Sequence, residues 1–311
     1  MPLWIPIAFT AVILWVLNNL FDKFLVEKFR NEDDHDADAN MLFMFSSLFA
    51  APVALFALMM GANFSITLSQ AGAGLLVGVL NGIYLLLYVH AVARTELSRI
   101  LPIFQIVPIF TGILGWYFLH EILTVPQIAA GLCIIAGAIL LSYQRTASKF
   151  TFLPLFLMIG ASLAIAFQLT LFKITALETS YWTGIFLTSA GLVLFGAIIY
   201  VLSGRSRRHI NGIFRDRNYR LIGLNMSNEV IDAIAYLTFL FATTLGPLAL
   251  VQTIHAYHPV LAFLATYVTT KLGFEALTEQ MDRATLVQKL CGIAMVGAGS
   301  AVIYIPLIFT S

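Results

Sequence analysis

Apolar residues run along this chain in long blocks. Ten of them carry almost no charge: about 3–25, 41–60, 70–93, 98–119, 125–143, 152–174, 180–202, 221–245, 247–270 and 286–308. A helix that crosses the hydrocarbon core of a bilayer needs about 20 mostly apolar residues. Backbone N–H and C=O groups find no water there, so each block is predicted to be an α-helix that satisfies them internally. The fold class that follows is an all-α integral membrane protein with ten transmembrane helices. Little chain is left for a soluble domain. Two intervening stretches are long and polar: 27–40 is acidic, and 203–220 holds six arginines. The connection 271–285 is shorter and interfacial.

Composition agrees. Of 311 residues, 60% are apolar and 11% charged, against about a quarter charged in a soluble domain. That excludes an ordinary soluble enzyme, a disordered tail and a nucleic-acid binder with a broad basic surface. The bilayer is the expected surrounding, in a plasma or inner membrane. The net charge of +1 says nothing about partners, but its distribution does. Of the 17 Lys and Arg, 16 fall in or beside the loops after the odd-numbered blocks, and only Lys173 falls on the other side. The positive-inside rule then puts those loops in the cytoplasm and both termini outside. Cys133 and Cys291 each sit in an apolar run and are read as small buried hydrophobes. Residues 3–17 lack a basic flank and a small-residue cleavage site, so they are read as part of the first membrane helix.

The two halves resemble each other. Residues 119–138 align without gaps to 280–299, so that Thr124, Gln127 and Gly131 match Thr285, Gln288 and Gly292, and Glu121 falls on Asp282. Upstream, Ala91 and Pro108 fall on Ala242 and Pro259. Lys23 and Lys173 are counterparts near the ends of the first and sixth blocks. The expected organisation is a five-helix repeat at 1–143, a linker at 144–151 and a second repeat at 152–311. Five is odd, so the second repeat enters from the opposite side. Inverted repeats of this kind are typical of transporters that alternate access around a midplane site.

The string Leu101-Pro102 and Pro108, then His120-Glu121-Ile122-Leu123-Thr124, Gln127 and Gly131, resembles the EamA-type members of the drug/metabolite transporter superfamily. The second copy has drifted, with Asp282 and Arg283 where the first has Glu121 and Ile122. The resemblance implies ten helices in two inverted repeats and transport of a small organic metabolite or drug.

An ionisable side chain at the bilayer centre costs about 2.5–3.5 kcal/mol on insertion scales, so such groups are functional candidates. In the eighth block Asn225, Glu229, Asp232 and Tyr236 are spaced four, three and four, which places them on one helical face. In the ninth, Gln252, His255 and Pro259 share a face with His258 beside them. Histidine titrates between pH 5 and 8 and suits proton relay or weak cation binding. Pro259 removes a backbone donor and opens the helix there. The first block offers Trp15, Asn18, Asn19, Asp22 and Lys23. The third offers Asn81, Tyr84 and Tyr88, with Asn81 on the repeat position of Asp232. The fourth offers Pro102, Gln105 and Pro108, and the sixth Gln168 and Lys173. The expected substrate-binding or coupling set is Asp232, Glu229, His255, His258, Asn18, Asn81, Tyr84, Gln105, Tyr236 and Gln252. Glu229, Asp232, His255 and His258 would also be a possible divalent-metal set. The arginines of 203–220 are read as a lipid anchor, the acidic stretch as a solvated loop, and His120 and Glu121 as structural.

No GxxxxGK[ST] loop occurs, so direct ATP drive is not expected, and no cofactor is expected. Neither GxSxG nor HExxH occurs, so the protein is not expected to be an enzyme. The favoured reading is a secondary active transporter or exporter of an amino-acid-like or cationic metabolite, with proton coupling open. The alternatives are a divalent-metal or drug transporter, or a channel or scaffold. The expected partners are a small-molecule substrate and the lipid bilayer, with no nucleic acid. Oligomeric state is not legible.

Overall fold

The computed structural model describes residues 2–29, 35–92, 94, 102–143, 152–204, 207, 219–271 and 283–309. Eleven helices lie among them: α1 Trp4–Phe29, α2 His35–Met59, α3 Leu68–Val92, α4 Val107–Leu119, α5 Val125–Ser142, α6 Phe152–Glu178, α7 Tyr181–Leu202, α8 Tyr219–Leu245, α9 Leu248–His255, α10 His258–Lys271 and α11 Arg283–Phe309. No strand occurs among the described residues. Nine segments there are long and apolar enough to cross a membrane, and Trp4–Asn18 is a shorter apolar stretch within α1. Residues 30–34 of the acidic stretch 27–40, most of the arginine-rich stretch 203–220, Asp282, and the side chains of Asn19, Asp22, Lys23 and Asn225 lie outside the described residues, while 35–40 begin α2.

Two of the ten apolar blocks are not single helices. The fourth turns at Gln105–Ile106 before α4 begins, and the ninth turns at Ala256–Tyr257 between α9 and α10. Prolines account for both. Pro108 and Pro259 have no N–H to give to the carbonyls of Phe104 and His255, four residues back. The chain tightens instead, with Ile106 N–H on the Ile103 carbonyl at 3.0 Å and Tyr257 N–H on the Ile254 carbonyl at 3.0 Å. The two turns lie 151 residues apart, as do Pro108 and Pro259 and the helix starts Val107 and His258. The backbone breaks thus share the 151-residue offset of Ala91 with Ala242 and Pro108 with Pro259, ten residues short of the offset that relates 119–138 to 280–299.

The chain forms two compact units, each built from both sequence halves. The first takes Met1–Arg30, Leu97–Lys149 and Ile234–Ser311; the second takes Asn31–Glu96 and Phe150–Ala233. In the first, α5 packs along α11, and α9 packs against α4 and α1. A Cβ added to Gly137 would stand 2.8 Å from the Gly292 carbonyl oxygen. Lipid gives helices little hydrophobic reason to associate, so such close backbone approach supplies the packing instead.

In the second unit α3 packs along α6 and α7, and α2 packs on α7. Gly74, Gly78 and Gly82 recur every fourth residue on α3 and meet Leu187, Gly191 and Phe195 of α7, with no room for a Cβ at any of the three. Phe43, Met44 and Leu192 are buried beside this contact. Side-chain burial suits a lipid solvent. Leu17, Leu48, Leu76, Ile113 and Leu194 are exposed, while Asn81, Gln168, Lys173 and Gln252 are buried.

Candidate functional site

The first unit carries the two proline-induced breaks. His255 is the last residue of α9, and four rings surround its imidazole. The centroid of Trp15 is 5.2 Å away, that of Phe104 5.8 Å and that of Phe239 6.2 Å. The ring of His258 stacks on it at 5.7 Å with 7° between the planes. Phe104 immediately precedes the turn at Gln105–Ile106, so its contact with His255 brings one break against the other. The imidazole of His258 bonds to the backbone carbonyl of Trp15, and the Trp15 ring also packs against Phe239 at 5.2 Å. One residue of α1 thereby touches both histidines. Asn18, Gln105, Gln252 and His258 are buried in this unit. The Asn18 Oδ1 atom has no hydrogen-bond partner among the described residues.

The second unit carries the carboxylates. Ser46 on α2 donates its hydroxyl hydrogen to Glu229 Oε1 on α8 at 2.7 Å. Asp232 follows one turn later on α8 and is half-buried; Tyr236, a further turn along α8, is also half-buried and belongs to the first unit. Asn81 of α3 is buried, and the rings of Tyr84 and Tyr88 lie 6.0 Å apart at 32°. Among the described residues no three His, Cys, Asp or Glu side chains are grouped so as to hold a metal ion.

The Glu-x-x-Thr-x-x-Gln-x-x-x-Gly string organises the first unit. Thr124 Oγ1 accepts from Gln127 N–H at 3.4 Å, and Gln127 Oε1 accepts from Thr124 N–H at 2.9 Å. This capping box starts α5. Gly131 faces the Thr253 methyl of α9, 3.7 Å from where its Cβ would lie. Glu121 Oε2 accepts the N–H of Leu248, the first residue of α9, at 2.7 Å. The second copy does different work. Gln288 Nε2 donates to the carbonyls of Leu140 and Tyr143 at 2.8 and 2.6 Å, closing the end of α5.

Residues 2–143 match the model of the EamA-like transporter family. Over those residues, a little under half of the chain, the sequence is similar to that family. With nine apolar spans among the described residues, the protein is an integral, multi-pass membrane protein whose first half resembles a transporter family. No curated protein matches the sequence. One solved structure, described only as the crystal structure of a protein, is similar to this chain with a TM-score of 0.66 at 14% identity, over 96% of this chain and 94% of that one. At that identity the likeness shows a shared fold.

Sequence reasoning missed two parts of this arrangement. Ser46 sits in an apolar helix, where a serine commonly bonds the carbonyl four residues back, so nothing in the string Phe45-Ser46-Ser47 points to Glu229. Phe104 and Phe239 are indistinguishable in sequence from lipid-facing phenylalanines. The one signal for Phe104 is its place four residues before Pro108.

Proposed function

We propose that this EamA-like protein is a secondary active transporter. It moves a small organic metabolite with an amine or other cationic group, amino-acid-like in size, by alternating access. The observation that carries the reading is Glu229, held by the Ser46 hydroxyl at 2.7 Å on an apolar span, with Asp232 one turn along the same helix. Carboxylates are costly in hydrocarbon and persist there when a substrate or proton uses them. Asp232 and Glu229 receive the cationic group or the coupling proton. His255 and His258, stacked at the second helix break, are the further proton-handling pair. Asn81 and Tyr84 in the second unit, and Asn18, Gln105, Tyr236 and Gln252 in the first, are the further groups proposed to hydrogen-bond substrate, each set within its own unit.

The halves 1–143 and 152–311, joined by 144–151, act as the two inverted repeats. The matched breaks before Pro108 and Pro259 support a duplicated unit. Broken helices place free backbone groups where a cavity forms, as in transporters that rock around a midplane site.

The test is counterflow in proteoliposomes. Vesicles preloaded with unlabelled amino acids or diamines should take up the same labelled compound saturably. Unsaturable flux, or a conductance without exchange, would favour a channel and contradict this reading.

A further inference from the structure

The half-helix α9 has only eight residues, Leu248–His255, and it carries Gln252 and His255. Its N-cap position is Pro247, which makes no side-chain capping bond. A helix start leaves N–H groups without intrahelical acceptors, and Leu248, at the start of its span, is buried away from water. A side chain 127 residues earlier in the sequence provides the acceptor. Glu121 Oε2 takes the Leu248 N–H at 2.7 Å, with its negative charge at the positive end of the helix dipole.

Three local features hold Glu121 in that place. His120 ends α4 in the left-handed conformation, φ 54°, which turns the chain back. Glu121 then donates its own N–H to the Gly115 carbonyl at 3.1 Å. Gly115 leaves the room the carboxylate needs, since a Cβ there would stand 3.1 Å from Oε2. Farther along α9, Thr253 Oγ1 meets the Tyr304 hydroxyl at 2.8 Å. The half-helix is therefore gripped at its start and along one face, and ends at the turn beside Pro259.

We infer that Glu121 is a positioning residue: by capping α9 it sets the placement of Gln252 and His255, which lie about 6 and 10 Å farther along the helix at its 1.5 Å rise. The inference rests on reading those two residues as substrate-side groups. The exchange measurement that tests the cap does not depend on transport.

Hydrogen exchange of the full-length protein in lipid nanodiscs reads the cap directly. Glu121→Ala should speed exchange of the 248–255 amides roughly tenfold, the scale of a lost N-cap. Exchange of α5 and α11, and the melting temperature, should stay close to wild type. Glu121→Gln keeps an acceptor oxygen and should restore most of the protection. Gly115→Ala crowds the carboxylate and should give a smaller increase in the same peptide, which decides the matter if Glu121→Ala does not insert. In the counterflow assay with labelled amino acids and diamines, Glu121→Ala should lose uptake and Glu121→Gln should keep it. The inference is overturned by unchanged α9 exchange in whichever of the Ala variants folds. It is also overturned by equal effects of Ala and Gln at 121, by loss of protection spread over the whole unit, or by wild-type uptake in Glu121→Ala. If the wild type itself shows no counterflow, the transport reading fails while the exchange result still decides the cap.

Discussion

Ser46 donates to Glu229 Oε1 across 2.7 Å, joining α2 to the carboxylate-bearing helix α8. A hydrogen bond to a charged group is worth about 1.5–3 kcal/mol, so the hydroxyl fixes where the carboxylate points. Ser46→Ala is expected to insert and fold normally while saturable uptake weakens roughly tenfold. Ser46→Thr, which keeps the hydroxyl, should recover most of it. Concentration dependence of counterflow measures both, and unchanged uptake in Ser46→Ala would remove the pair from the mechanism.

The glycine contacts predict a sharp contrast in stability. Gly78 and Gly191 face each other across α3 and α7, and a Cβ on Gly78 would stand 2.7 Å from the Gly191 Cα. Neither backbone can yield cheaply. Gly78→Val and Gly191→Val should cut the yield of folded protein severely. Gly72 and Gly297 have open space where a Cβ would go, and alanine there should be neutral or stabilising by up to about 1 kcal/mol. Thermal unfolding in detergent distinguishes these outcomes.

Much of the fold was legible in the sequence because a bilayer enforces one rule throughout its thickness: long apolar runs become helices. Proline made the breaks legible too, since Pro108 and Pro259 each remove a donor that an unbroken helix requires. What stayed hidden depends on partners far away in sequence. Glu121 reads as a residue at a helix junction, and only the fold brings it to Leu248. His255 reads as a polar residue on an apolar helix, and only the fold surrounds it with Trp15, Phe104 and Phe239. The grouping of segments into two interleaved units is likewise invisible in the chain, because packing partners are set by side-chain shape along whole helices.

Charge asymmetry carries the prediction of sidedness. With 16 of 17 Lys and Arg on the loops after odd-numbered blocks, residues 203–220 are expected in the cytoplasm and the C-terminus outside. A single cysteine placed in that loop, in a background without Cys133 and Cys291, should resist an impermeant maleimide in intact cells and react after lysis. Prompt labelling of intact cells would reverse the assignment.

Asp232 tests the central claim most directly. It lies on α8 within the apolar span Met226–Leu245, one turn from Glu229, and Asn81, 151 residues earlier in the sequence, is polar and buried. Asp232→Asn keeps the shape of the side chain and removes its titration. The measurement is the pH dependence of counterflow in proteoliposomes holding equal amounts of folded wild type and variant. Coupling through Asp232 requires the variant to insert and fold while its pH-dependent uptake disappears. A variant that transports every substrate at the wild-type rate with the wild-type pH profile would contradict the account.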